Sequence, residues 1–249
     1  MAEVIEIARL ALHDQVAARL RTMLVEGRIA PGAKLNERVL TEQLRVSRTP
    51  LREAIKLLAV EGLVDLLPNR GAVAVRLSEA DVMHSFEVLA ELEAMSGRLA
   101  AERASDAERN EIRALHYEML AAFARRDLSG YYRLNAAIHA ALAAAAGNPV
   151  LAAAYTRINA RVQSLRFRTN QNDAKWKRAV KEHEQIVDAL DARDGEALAT
   201  VLRQHLVHKR DAVLELMRAG DVYAQAPATA AAPRAAADSP RRAERTGRA

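Results

Sequence analysis

Apolar residues in the first sixty positions recur at three- and four-residue intervals, punctuated by glycine, proline and capping residues. Residues 9–27 carry Leu12, Val16, Leu20, Met23 and Leu24 on one helical face and end at Gly27, which predicts an amphipathic helix. Pro31-Gly32 marks a turn. Asn36 then stands where an N-cap belongs, ahead of a short helix with Val39, Leu40 and Leu44 as its apolar stripe. A third helix is expected from a Ser47 cap to about Glu61, burying Leu51, Ile55 and Leu58. Its Pro50 falls in the first turn, where a missing N–H leaves no helical bond unmade. After Gly62 the period shortens: LVDLL, PNRG and AVAVRL read as two strands around a tight turn.

From Ser78 onward the pattern is helical throughout. Amphipathic segments cover about 78–103, 106–126, 128–146, 149–171, 174–193 and 195–219, with short breaks such as Gly147-Asn148-Pro149 between them. Long helices joined by short connections predict antiparallel neighbours in a bundle. The fold class expected is mainly α: an N-terminal winged helix-turn-helix followed by an antiparallel all-α helical bundle. The domains expected are 1–76, 77–220 and a tail, 221–249. The tail, rich in Ala, Pro and Arg, has almost no large apolar side chains and is expected to be disordered.

Composition narrows the function. No cysteine is present, which excludes disulfides, thiolate metal sites and cysteine nucleophiles and suggests a reducing, cytoplasmic setting. No segment has the roughly 18 uncharged apolar residues that a membrane span needs, so a membrane partner is not expected. The formal net charge of +5 is uneven: residues 1–76 hold 12 Lys/Arg against 9 Asp/Glu, 77–220 hold 20 against 20, and 221–249 hold 5 against 3.

The arginines of RVSRTPLREA, residues 45–54, oppose the helix dipole, since Arg48 and Arg52 lie four apart in the first turns of the third helix. A recognition helix explains them. With Ser47 and Thr49 they form the exposed side of a helix N-terminus that can receive phosphates, and a guanidinium can fork onto guanine O6 and N7. Arg38 on the preceding helix can reach the same groove, and Arg70 at the hairpin tip can enter the neighbouring one. Pairing with Glu37, Glu42 or Glu53 on a solvated surface is the competing reading.

In the helical part, Asn135 and His139 are i,i+4 and share a face. His183 and His205 lie ten to twelve residues either side of Gly195, so antiparallel helices would bring them together. Three imidazoles and one amide oxygen inside a bundle suit a divalent metal, zinc or nickel by donor type. His208 is an equally available rival. His13, His84 and His116 read as surface or boundary residues.

The stretch from LHDQVAARL to NRGAVAV, about residues 10–76, resembles the DNA-binding domain of GntR-family bacterial transcriptional regulators through its PG, VSRTPLREA, EGLV and NRG segments. The resemblance implies that Arg38, Arg48, Arg52 and the Arg70-Gly71 wing contact operator DNA and that Ser47 and Thr49 help hold its backbone. A homodimer reading a palindrome follows. Residues 78–216 resemble the FCD ligand-binding domain of the FadR branch, through Asn135, Ile138-His139, Asn148, Glu182-His183 and His205-Leu206. That resemblance implies metal ligation by Asn135, His139, His183 and His205, with a carboxylate effector beside the metal. Two departures stand out. Asn135 replaces the commoner Asp, and Leu89 occupies a position where the family often has an effector-facing arginine, leaving Arg157 and Arg161 as candidate cations. A bundle that only dimerises the DNA-binding part is the alternative. A metal-dependent enzyme is the least favoured reading, because no general-base motif or phosphate-cradling glycine loop is present.

Overall fold

A computed structural model describes residues 12–69, 71–169 and 172–220. Helix α1 (Leu12–Val25) buries Val16, Leu20 and Leu24, and the chain leaves it through Gly27 at φ +75°. Asn36 caps α2 (Glu37–Leu44), its side chain accepting from the N–H groups of Arg38 and Val39. The turn to α3 (Arg48–Val60) passes through Arg45 in the left-handed region, φ 54°. Leu51, Ala54, Ile55 and Leu58 of α3 pack with α1 and α2 in one apolar core. Strands β1 (Val64–Leu67) and β2 (Gly71–Ala74) pair antiparallel from Val64↔Ala74 to Leu67↔Gly71, and Lys34 bridges the outer side at Val73. Helix-turn-helix and wing are thus both formed. The wing tip Arg70, the start of the expected first helix and the tail 221–249 lie outside the described residues.

Six helices follow: α4 (Glu79–Arg103), α5 (Asp106–Ala124), α6 (Leu128–Ala145), α7 (Pro149–Thr169), α8 (Asp173–Asp191) and α9 (Gly195–Arg218). Their starts are chemically specified. Ser78/Asp81 and Ser105/Glu108 form capping boxes, and Asp127, Asn172 and Asp194 each accept an N–H of the following first turn. The longest contact is between α4 and α9. Gly97 makes it possible, because a Cβ there would lie 2.6 Å from Leu202 Cδ1. A second core gathers Ile112, Met119, Tyr131, Trp176, Ile186 and Leu202, with the Phe123 and Tyr131 rings meeting Trp176 edge-on at 5.0 and 5.2 Å. Among the described residues no helix is long and apolar enough to cross a membrane.

Two expectations are corrected here. Ser47 sits at the N-cap of α3 with extended backbone, but its side chain makes no capping bond. His116 is not a surface or boundary residue. Its helical spacing from Ile112 and Met119 carries it into the core, where it is buried and desolvation holds its pKa below the ordinary value.

Candidate metal centre and nucleic-acid interface

The amino end of α3 forms the charged side of the N-terminal unit. Ser47, Arg48, Thr49 and Arg52 are all exposed, opposite the buried Leu51, Ile55 and Leu58. A hollow of ≈ 560 Å³ opens beside them, lined in part by Lys34, Arg38, Arg48, Arg52 and Gly71. Four cations face a single acid there, Glu37, whose Oε2 accepts from Arg52 Nε at 2.9 Å. Arg38 lies 3.6 Å from Glu42. Such exposed pairs are weak and exchange readily for phosphate. With no side chain capping α3, its first-turn N–H groups add to the attraction for anions. Lys34 was missed by sequence reasoning; its only signal is the turn position opposite the strands.

In the helical part, three helices converge on one polar point. Asn135 and His139 come from α6, His183 from α8 and His205 from α9, all buried. The ring centroids are 5.2 Å apart for His139–His183, 5.3 Å for His139–His205 and 4.8 Å for His183–His205. One nitrogen from each of the three rings can be chosen so that all lie within 4.8 Å of one another.

The outer nitrogens fix how the rings present themselves. His183 Nδ1–H donates to Ala179 O at 2.8 Å, since a carbonyl can only accept. His205 Nδ1 meets Glu182 Oε2 at 2.6 Å. His139 Nδ1 lies 2.9 Å from Glu93 Oε2, out of line for a hydrogen bond. The Nε2 atoms of all three rings, and Asn135 Oδ1, are buried without a partner. The three imidazole donors left unsatisfied within reach of one another form a set that fits a cation, and Asn135 Oδ1, one helical turn before His139 and equally unsatisfied, is the fourth candidate. Each would otherwise carry a desolvation cost of roughly 1–3 kcal/mol. Burial, reinforced by the neighbouring imidazoles, pushes His183 and His205 well below the usual histidine pKa. Both rings are therefore neutral at pH 7, the form that ligates metal.

Sequence reasoning missed the charged groups around this point. Glu93 of α4 stands between His139 and Arg166 of α7, whose Nη1 is 3.6 Å from Glu93 Oε1 and donates to Asn159 Oδ1 at 2.6 Å. Arg166 is buried, and its Nε and Nη2 have no hydrogen-bond partner. Lys209, buried on α9, is pushed down to about 7 by desolvation and then by Arg166. His208 is not part of the cluster: it is half-buried, and its Nδ1 meets Glu182 Oε1 at 2.6 Å.

The effector residues expected from the sequence are displaced from this centre. Arg157 and Arg161 are exposed. Arg157 lines a hollow between α7 and the N-terminal unit, and Arg161 packs against Gly62. Both lie on the outer face of α7, whereas Arg166, one and a half turns beyond Arg161, faces inward. A buried cation does lie near His139: Arg166, 3.6 Å from the Glu93 carboxylate that His139 meets.

Residues 12–73 match the family described as "Bacterial regulatory proteins, gntR family", and residues 84–208 match the FCD domain. The chain is 31% identical over 202 residues to the Nta operon transcriptional regulator of Aminobacter aminovorans, covering 79% of this chain and 91% of that protein. It is 26% identical over 205 residues to the HTH-type transcriptional repressor RspR of Escherichia coli (strain K12), covering 82% and 90%. The fold is shared with E. coli McbR/YncC at a TM-score of 0.76 and 22% identity, covering 84% of this chain and all of that one. The relatives are regulators rather than enzymes, and the chain belongs to the GntR family of bacterial regulatory proteins as a DNA-binding transcriptional regulator with an FCD domain behind its winged helix.

Proposed function

We propose that this regulator is a homodimeric repressor of the cytoplasm whose operator affinity is set by a carboxylate effector bound at a divalent metal, zinc or nickel, in the helical domain. The division at residues 76 and 77 and the tail from 221 belong to the same proposal. Repression is the role that the names of RspR and of the probable D-xylose utilization operon transcriptional repressor of Paenarthrobacter nicotinovorans give to those relatives.

The observation that carries the reading is the set of four unsatisfied buried atoms: Asn135 Oδ1 and the Nε2 atoms of His139, His183 and His205. These residues would hold the ion. An ion bound there would supply a fixed positive charge that attracts an anionic oxygen. The chain's own groups do the rest. Glu182 orients the His205 imidazole and Ala179 O that of His183, while the Glu93 carboxylate lies beside His139. Arg166 offers unsatisfied donors to a carboxylate beside them. On the DNA side, Arg38, Arg48 and Arg52 would face bases and phosphates, Ser47 and Thr49 the backbone, and the Arg70-Gly71 wing the adjacent groove.

Elemental analysis of purified wild type against His139→Ala and His183→Ala tests the centre. One divalent ion per chain in wild type and a loss in both variants are expected. Wild type that stays metal-free after reconstitution with zinc and with nickel overturns it.

A further inference from the structure

A hollow of ≈ 700 Å³ lies where the N-terminal unit meets the bundle, and neither the metal centre nor the DNA face uses it. Its floor consists of five alanines from α6 and α7, among them Ala140 and Ala153. One wall is the carboxyl end of the recognition helix: Val60 and Glu61, with Glu61 held by Arg21 of α1 through two hydrogen bonds of 2.6 and 2.9 Å. The opposite wall is α7, with Tyr155, Arg157 and Asn159.

We propose that this hollow is a second ligand site, taking a small flat apolar molecule that bears one carboxylate, and that its occupancy is felt directly by α3. The size suits such a molecule, since small-molecule sites span roughly 300–1,000 Å³. The alanine floor is smooth and apolar, as a ring face requires. Two cations and one acid line the hollow, and Arg21 is already paired with Glu61, whereas Arg157 makes no ion pair among the described residues. Arg157 is therefore the group that receives the carboxylate. Tyr155 is almost wholly buried, and its hydroxyl has no hydrogen-bond partner. Burial raises its pKa, and Glu93 and Arg166 are the charged groups beside it, so Tyr155 contributes to the wall of the hollow as a neutral ring. Val60, 73% exposed at the edge of the hollow, is the apolar contact through which the ligand touches the recognition helix.

The site is independent of the metal centre, and the experiment keeps the two apart. Full-length protein is titrated calorimetrically with 2-naphthoate and with its neutral counterpart 2-naphthamide. Wild type before and after chelator treatment is compared with Ala153→Trp, which fills the hollow from an exposed position, and with Arg157→Gln. Hydrogen exchange at residues 55–63 is followed in parallel. The expected result is naphthoate binding that survives chelation, falls roughly five- to ten-fold in Arg157→Gln, is lost in Ala153→Trp and protects the carboxyl end of α3; the amide binds more weakly. No naphthoate binding by wild type overturns the proposal. Binding that disappears on chelation but is untouched in both variants also overturns it and assigns the anion to the metal centre.

Discussion

Glu182 and His205 meet at 2.6 Å inside the bundle, carboxylate oxygen to Nδ1, while the other oxygen of the same carboxylate holds the half-buried His208. Glu182 thereby sets the ring orientation of one histidine of the proposed metal site from outside the donor set. Glu182→Gln keeps the shape and removes the charge. It is expected to weaken metal retention about 10- to 100-fold while leaving the helical circular dichroism signal unchanged. Competition with a chromophoric chelator measures this. An unchanged metal affinity would separate Glu182 from the centre.

The buried imidazoles make the metal-free protein sensitive to acid. His183 and His205 have folded pKa values depressed well below the ordinary histidine value of about 6.5, chiefly by desolvation. Above that value both states are neutral and these groups cost the fold nothing. Below it the unfolded chain takes up protons that the folded one resists, so stability falls with pH by about 1.4 kcal/mol per unit for each ring, until the folded pKa is reached. Urea titrations of chelator-treated protein between pH 8 and pH 5 are expected to show this loss. Replacing both histidines with glutamine is expected to flatten the profile, whatever the change in absolute stability.

Arg48 and Arg52 are exposed, and the Arg52–Glu37 pair contributes little to the fold. Arg48→Ala and Arg52→Ala are therefore expected to leave the melting temperature within about 1 °C. Each is expected to lower affinity for a selected operator duplex by about 1–3 kcal/mol if it forks onto a guanine, measured by fluorescence anisotropy at fixed salt. A contact to phosphate alone would instead reduce the salt slope by about one and leave sequence preference intact. Wild-type binding by both variants would place the DNA on another face.

Gly97 is a packing requirement, since its missing side chain is where Leu202 and Leu198 of α9 approach α4. Gly97→Val is expected to destabilise the helical domain by about 1–3 kcal/mol through overpacking, seen as a lower urea midpoint. Gly147→Ala, by contrast, meets only the flexible Arg103 side chain, so its cost comes from backbone strain at φ +62°.

Most of the scaffold could be read from spacing and caps. Asn36, Ser78, Ser105, Asp127, Asn172 and Asp194 each mark a helix start found in the structure. His183 and His205 could be paired because a short antiparallel turn fixes which residues face each other. Glu93 and Arg166 were overlooked because single charges on long helices ordinarily face water. Their signal was positional: Glu93 follows Phe86 and Leu89 at core spacing, and all three are buried. Arg157 and Arg161 drew attention by charge, yet they lie on the outer face of α7. Periodicity assigns a residue to a face, but only the neighbouring helices decide what that face meets.

Helix α3 ends at Val60 with Glu61 tied to Arg21, and begins at Arg48 on the DNA side. Its thirteen residues span about 20 Å, and a packed helix moves as a stiff rod rather than a chain of springs. A nudge at the Glu61 end would be delivered to the arginines at the far end without relay through loops. On the proposed reading the same helix would be both the probe that touches DNA and the handle by which the rest of the protein turns it.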